Sequence, residues 1–265
     1  MRQFILDKNP DKKGLVVISG KDFKYLCQVL RVRPGDMINV RLPDGSLKNS
    51  TVAQIDDKAR KVVIQICADT ENKTSITRGV QAEEIETDLK SSSGIEYWLF
   101  QFLPKPQKFE QIVRQATECG VSRIIPIIGE YSEKSSVSAL SGSKGERLER
   151  IVKEARQQSG SPVNTIVDSP VDLKSAVDLW NNTSDSLGFV LSERDEGIGT
   201  IRDIIQNANG VKLICIAVGS EGGISPDELN HLVEKGLFHP IHFSGNILRC
   251  ETAALYGIAA VQTAV

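Results

Sequence analysis

The stretch Val218-Gly219-Ser220-Glu221-Gly222-Gly223 ends an apolar run in three glycines set around one carboxylate. Glycine permits positive φ and lets a ligand approach the backbone closely, so the exposed N–H and C=O groups of such a turn could read an adenine edge. Glu221 could hold a ribose, an amino group or a neighbouring loop, or be a plain exposed loop residue. Phosphate binding fits poorly. A full Gly-x-Gly-x-x-Gly and a P-loop Lys-Ser/Thr are both missing, and a carboxylate at the loop centre repels pyrophosphate. Two further stretches share the pattern of an apolar run that stops abruptly: Leu191-Ser192-Glu193, and Phe243-Ser244-Gly245-Asn246 leading into Ile247-Leu248-Arg249. In open α/β sheets ligands sit beyond the carboxyl ends of the strands.

The elements that must position these stretches follow from hydrophobic periodicity. From residue 95 onward strands alternate with helices. Strands are predicted over 96–103, 123–128, 165–167, 187–191, 211–218 and 240–243. Helices are predicted over 108–119, 145–159, 173–180, 198–207, 225–235 and 251–265. Such alternation indicates a mainly parallel sheet covered on both faces, an α/β fold. Ser225, Pro226 and Glu228 have the spacing of a capping box with proline at the first helical position. The final helix carries Ala253, Ala254, Gly257, Ala259, Ala260 and Ala264. Small residues suit tight packing on the sheet and could also seat a second subunit.

Residues 1–70 form a separate small β module. Short strands are predicted over 15–18, 37–42, 50–55 and 61–68, with turns at Pro34-Gly35-Asp36 and Pro43-Asp44-Gly45. A helical stripe runs through Phe23, Leu26 and Leu30. Residues 71–94 are polar and end in Ser-Ser-Ser-Gly, which marks a linker or insertion before the domain at 95–265.

The net charge of −2 over 265 residues conceals an asymmetry. Residues 1–70 carry 13 Lys+Arg against 8 Asp+Glu, whereas residues 95–265 carry 16 against 21. A basic front on an acidic body suggests a polyanionic partner for the front. The five cysteines are scattered and lack a Cys-x-x-Cys pair, and the three histidines lack companions at metal spacing, so no metal site is expected. No apolar run approaches the roughly 18–20 residues that span a bilayer. The first residues lack the apolar core of a signal peptide, so a cytoplasmic protein is expected.

The pairing of VGSEGGISPDEL with NILRCETAALYGIAAVQ resembles the RsmE-type 16S rRNA (uracil-1498-N3)-methyltransferases of the SPOUT superfamily. FLPKPQKFEQIVRQATECGVSRIIPII is similar to that family's Lys-rich segment, helix and strand. EARQQSGSP resembles its next helix end, and YLCQVLRVRPGDMINV its PUA-like N-terminal module. The likeness covers nearly the whole chain apart from residues 69–94. It departs at Ser220, where the family usually has proline, at Ser161, where it has arginine, and at Phe243-Ser244-Gly245, where its glycine is shifted.

The resemblance implies a C-terminal domain with a deep trefoil knot and a homodimer that completes each site. It implies a methyltransferase active in rRNA processing, with S-adenosylmethionine held by the three strand-end loops. The cofactor-binding residues would be Leu191, Ser192, Glu193, Val218, Gly219, Ser220, Gly222, Gly223, Phe243, Ser244, Gly245, Asn246, Ile247 and Leu248. Arg249 and Glu221 are the catalytic candidates. Arg249 could stabilise a developing uracil anion or grip a phosphate, and its plain alternative is an ion pair with Glu251. The 16S rRNA, free or in the assembled small ribosomal subunit, would lie across the basic module at Arg2, Lys24, Arg31 and Arg33. Methylation of another RNA, or RNA binding without catalysis, are the alternatives.

Overall fold

The computed structural model describes residues 3–67, 94–140, 145–192, 200–208, 210–243 and 246–265. The chain divides into two compact units, residues 1–86 and 87–265. The expected linker at 71–94 lies outside the described residues save for Gly94.

The first unit is built on five strands: β1 (Gln3–Ile5), β2 (Leu15–Ser19), β3 (Met37–Arg41), β4 (Leu47–Asp56) and β5 (Lys61–Ile66). They form one sheet in the order β1-β3-β4-β5-β2. β1 runs parallel to β3, and the other pairs are antiparallel. Alternation places Val16, Ile18, Val52, Val62 and Ile64 inside, where they meet Phe4, Phe23 and Leu26. The stripe through Phe23 and Leu26 begins as helix α1 (Gly20–Lys24) but widens into a π-helical turn over Tyr25–Leu30. That turn stops at Arg31, which adopts the left-handed conformation at φ 54° and ψ 42°. A side chain in that region costs energy that glycine avoids.

The strands of the second unit are β6 (Glu96–Phe102), β7 (Arg123–Ile128), β8 (Ile166–Val167), β9 (Val171–Asp172), β10 (Ser186–Leu191), β11 (Leu213–Val218) and β12 (His239–Ile241). They run parallel in the order β12-β10-β11-β6-β7-β8, with β9 also paired to β7. Every residue of β11 is buried, as a strand covered on both faces requires. One face is covered by α2 (Pro106–Glu118), α4 (Gly145–Ser159), α6 (Ile201–Asn207) and α8 (Cys250–Ala264). The other is covered by α5 (Leu173–Asn181) and α7 (Pro226–Glu234), where Trp98, Phe100, Trp180 and Phe238 form an aromatic cluster.

The predicted α/β architecture is therefore present. Sequence periodicity missed β1, β9 and the short helix α3 (Lys134–Leu140). The expected start of a helix at 198 lies outside the described residues, and α6 begins at Ile201. The small residues of α8 have a specific use on the sheet. A Cβ on Gly257 would lie 2.9 Å from Leu191 Cδ1 and 3.4 Å from Ile216 Cγ2, so a larger residue there would have to displace the Leu191 side chain. At its far end the Gln262 side-chain amide donates to the Cys119 carbonyl at 2.8 Å and pins α8 to the end of α2. Among the described residues, no helix is long and apolar enough to cross a membrane.

Candidate functional site

Parallel pairing brings the predicted strand ends into one row. Leu191 sits opposite Ile241, Val190 opposite Ala217, and Val218 opposite Gln101. The loops after β12, β10 and β11 therefore leave the same edge of the sheet side by side. Hydrogen bonds tie the first two together: Ser192 N donates to the Ile241 carbonyl at 2.9 Å. His242 Nδ1 lies 3.3 Å from the Ser192 carbonyl. A carbonyl can only accept, so Nδ1 carries the proton in that contact.

Below the glycine loop lies Gln101, a polar residue in an otherwise apolar strand and fully buried. Its Nε2 donates to the carbonyls of Phe102 at 2.9 Å, Gly219 at 3.1 Å and Val218 at 3.3 Å. The backbone carbonyls expected to face a ligand at Val218 and Gly219 thus already receive a side-chain amide. Gln101 Oε1 is buried and has no partner among the described residues.

The glycines of this loop are required by the protein's own packing. A Cβ on Gly219 would lie 2.6 Å from the Gly223 carbonyl carbon, and one on Gly222 would lie 2.8 Å from Tyr131 Cβ. Gly223 has φ 81° and donates its N–H to the Ser220 carbonyl at 3.1 Å. Ser220 is buried, and its hydroxyl donates to the Tyr131 carbonyl at 2.9 Å. Behind the loop, Ser225 starts α7 with the predicted capping box. Glu228 does more than cap: its second oxygen accepts from Glu130 N at 2.7 Å, which ties α7 to the loop carrying Tyr131.

Glu221 holds a neighbouring loop. Its two carboxylate oxygens accept from Lys105 N at 3.2 and 3.3 Å, at the N-cap of α2. A carboxylate there complements the partial positive charge of the helix start. Glu221 also lies 3.6 Å from Lys108 Nζ, which reaches Glu251 in the first turn of α8 at 3.1 Å. Between them the Cys250 thiol donates to Glu251 at 3.2 Å. Its pKa is pushed up to about 12, first by burial and then by Glu251 and Glu221. Hydrogen bonding to Glu251 raises the Lys108 pKa, so its ammonium is firmly charged. Burial alone would raise Glu251. Its own N–H, the Cys250 thiol and Lys108 outweigh that and hold it low.

The alternative of an Arg249–Glu251 ion pair is corrected by this arrangement, since Glu251 is taken by Lys108. Arg249 is the N-cap of α8, exposed, with no side-chain hydrogen bond or ion pair among the described residues. Asn246 and Ile247 just before it are exposed, Ile247 at 78%, and Leu248 is half-buried. Phe243 packs edge-on against Tyr256 of α8 at 4.7 Å between centroids. Glu193, Ser244, Gly245 and Arg2 lie outside the described residues. Lys24, Arg31 and Arg33 are all exposed on the first unit.

The RNA methyltransferase domain family matches residues 91–262. Ribosomal RNA small subunit methyltransferase E of Aquifex aeolicus is 33% identical over 84% of this chain and 93% of its own length. That of Rickettsia conorii is 31% identical over 98% of this chain and 94% of its own. The chain belongs to the ribosomal RNA small subunit methyltransferase E family. A Neisseria gonorrhoeae methyltransferase E bound to S-adenosyl methionine superposes with a TM-score of 0.73 at 23% identity, covering 99% of this chain and 97% of that one. A Legionella pneumophila chain in complex with its bound cofactor SAM gives 0.72 at 20%, covering 99% and 96%. At these identities the two structures establish the shared fold.

In this methyltransferase E chain the three strand ends singled out in the sequence stand side by side, but four residues around the loop after β11 and the start of α8 were not predicted. Gln101 had a visible signal, one amide inside an apolar strand. Lys108, Cys250 and Tyr131 had none. Lys108 is one lysine among several, and its role depends on two carboxylates lying 113 and 143 residues further along the chain.

Proposed function

We propose that this chain uses S-adenosylmethionine to methylate N3 of a uridine in 16S ribosomal RNA, at the position corresponding to 1498. The single observation that carries the reading is the row of strand ends at Ile241, Leu191 and Val218 in a chain of this family. When bound, S-adenosylmethionine supplies an electrophilic methyl group on a cationic sulfonium. The residues present suit such a group. Glu221 and Glu251 outnumber Lys108, which leaves one net negative charge in that cluster. The exposed Ile247 and the half-buried Phe243 and Leu248 add apolar surface suited to an adenosine.

The loops after β10, β11 and β12 would hold the donor. Aligning the uracil nitrogen with the methyl group and placing charge correctly supply much of the rate. N3 must lose its proton to a base ahead of bonding to the methyl group, so negative charge develops on the uracil ring until the methyl cation equivalent from the sulfonium neutralises it. Arg249 would stabilise that charge; its exposure and lack of a partner among the described residues support the assignment. The basic residues Lys24, Arg31 and Arg33, with Arg2, would contact RNA phosphates from a PUA-like first unit.

The same reading includes a trefoil knot in the second unit and a homodimer through it. Membership of the methyltransferase E family supports the first. The exposed face of α8 around Tyr256, Ala259 and Thr263 supports the second. Mass spectrometry of 16S rRNA from a deletion strain tests the function. N3-methyluridine should disappear at one position and return with the wild-type gene, but not with Arg249→Ala. An unchanged rRNA methylation pattern would overturn the proposal.

A further inference from the structure

Two helices start beside the glycine loop, α2 at Lys105 and α8 at Arg249, and neither has a side-chain cap of its own. Each start is instead supplied with a carboxylate. Glu221 reaches the Lys105 N–H from the loop after β11, and Glu251 sits in the first turn of α8. Two carboxylates at neighbouring helix starts would repel one another. Lys108 Nζ lies between them, 3.6 Å from Glu221 and 3.1 Å from Glu251, and 4.0 Å from the Cys250 sulfur. Alone, an ammonium next to the start of α8 would oppose the helix dipole, and Glu251 offsets that. The Lys108, Glu221 and Glu251 side chains are 24%, 31% and 15% exposed, so the triad is partly sheltered from water.

We infer that Lys108 is a positioning residue, which clamps the glycine loop after β11 to the first turn of α8 and so fixes where Ile247, Leu248 and Arg249 stand relative to Gly219–Gly223. Glu221 then acts through Lys108 and Lys105, as a brace rather than as a group that touches the reacting atoms. A proton-accepting role for Lys108 does not fit, because two carboxylates hold its proton in place. The inference rests on the proposed methyl transfer for its kinetic consequence, but the clamp itself is a property of the fold.

The test compares wild type, Lys108→Met and Lys108→Arg as full-length chains. Methyl transfer to small-subunit rRNA, thermal melting and amide hydrogen exchange are measured on each. Misplacement of a reactive group by about 1 Å costs on the order of 100-fold in rate, so Lys108→Met should lose ~10- to 100-fold in kcat with a smaller change in the KM for RNA. Lys108→Arg, able to reach both carboxylates, should recover most of it. Hydrogen exchange should speed up together in 219–223 and 247–252 of the methionine variant and be restored in the arginine variant. Wild-type kcat in Lys108→Met, or faster exchange in only one of the two segments, would overturn the clamp. Equal loss in both variants would also overturn it and point to a purely structural lysine. A wild-type chain that transfers no methyl group would sink the functional reading alone, and the paired exchange would still decide the clamp.

Discussion

Replacing Gly219 by alanine drives a methyl group into the backbone of its own loop. The added Cβ would stand 2.6 Å from the Gly223 carbonyl carbon and 2.9 Å from its Cα and oxygen, where ordinary contact begins at 3.4 Å. Backbone must therefore move by roughly the difference between 2.6 and 3.4 Å. Gly223 has little room to do so. It donates to Ser220, sits at φ 81°, and is followed two residues later by the N-cap of α7. Overpacking of this kind costs about 1–3 kcal/mol. If the loop rather than the core absorbs it, the melting temperature should fall by only about 2–4 °C per kcal/mol. Affinity for S-adenosylmethionine should fall about 10- to 100-fold, at 1.4 kcal/mol per factor of ten. Calorimetric titration and thermal melting measure the two effects. Gly145→Ala is the control, since its Cβ meets nothing within 4 Å at the start of α4. An alanine there should be neutral or slightly stabilising. Gly219→Ala with an affinity within twofold of wild type and an unchanged melt would refute the claim that this loop needs glycine for its shape.

Four further outcomes follow from the same structure. Arg156 is buried and donates to Asn164 Oδ1 at 2.7 Å and to the Pro162 carbonyl at 3.1 Å. Arg156→Met should cost about 1–3 kcal/mol in urea unfolding, and an unchanged midpoint would show that the loop at 160–165 does not depend on it. Native alkylation by iodoacetamide at pH 8, followed by mass spectrometry, should spare Cys215 and Cys250. Burial raises both thiols, Cys250 to about 12, so early labelling of either would contradict the site's packing. The Lys108–Glu251 pair has a defined pH window. A carboxyl held low in the folded state stabilises above its unfolded pKa of about 4.3, and this is lost as pH falls through the folded value. The raised lysine stabilises below its unfolded pKa of about 10.4, and this is lost as pH rises through the folded value. The melting difference between wild type and Lys108→Met should therefore be widest near neutrality and close at both extremes; a difference that persists at pH 2 would exclude the ion pair as its source. Charge reversal at Arg31 and Arg33 should weaken RNA binding and lower the salt slope by about one for each phosphate no longer neutralised, and unchanged affinity would remove them from the interface.

Much of the architecture was legible because burial on two faces leaves a one-dimensional trace. The strand expected over 211–218 is the buried β11 at Leu213–Val218, and Ser225-Pro226-Asp227-Glu228 begins a helix as its capping spacing predicts. Elements without an apolar pattern escaped that reading. β9 is two residues long, and the short α3 is held by the Ser136 hydroxyl, which donates to the Pro104 carbonyl, and by Glu133 N just before it, which donates to the Leu103 carbonyl. The π-helical turn at Tyr25–Leu30 carries the same stripe as an α-helix, so periodicity could not separate the two.

The sequence alone singled out the segments proposed for the site, because glycine at a strand end, a capping box and an arginine before a helix are local signals. What each residue does there was decided only by the tertiary fold. For Glu221 the sequence left a ligand, a neighbouring loop or plain exposure open, and the fold shows it bracing α2 and meeting Lys108. Gly219 and Gly222 were read as letting a ligand approach, and the fold adds that they make room for Gly223 and Tyr131. Charge pairing and close approach depend on atoms far apart along the chain and a few ångströms apart in space, and no local pattern records those distances.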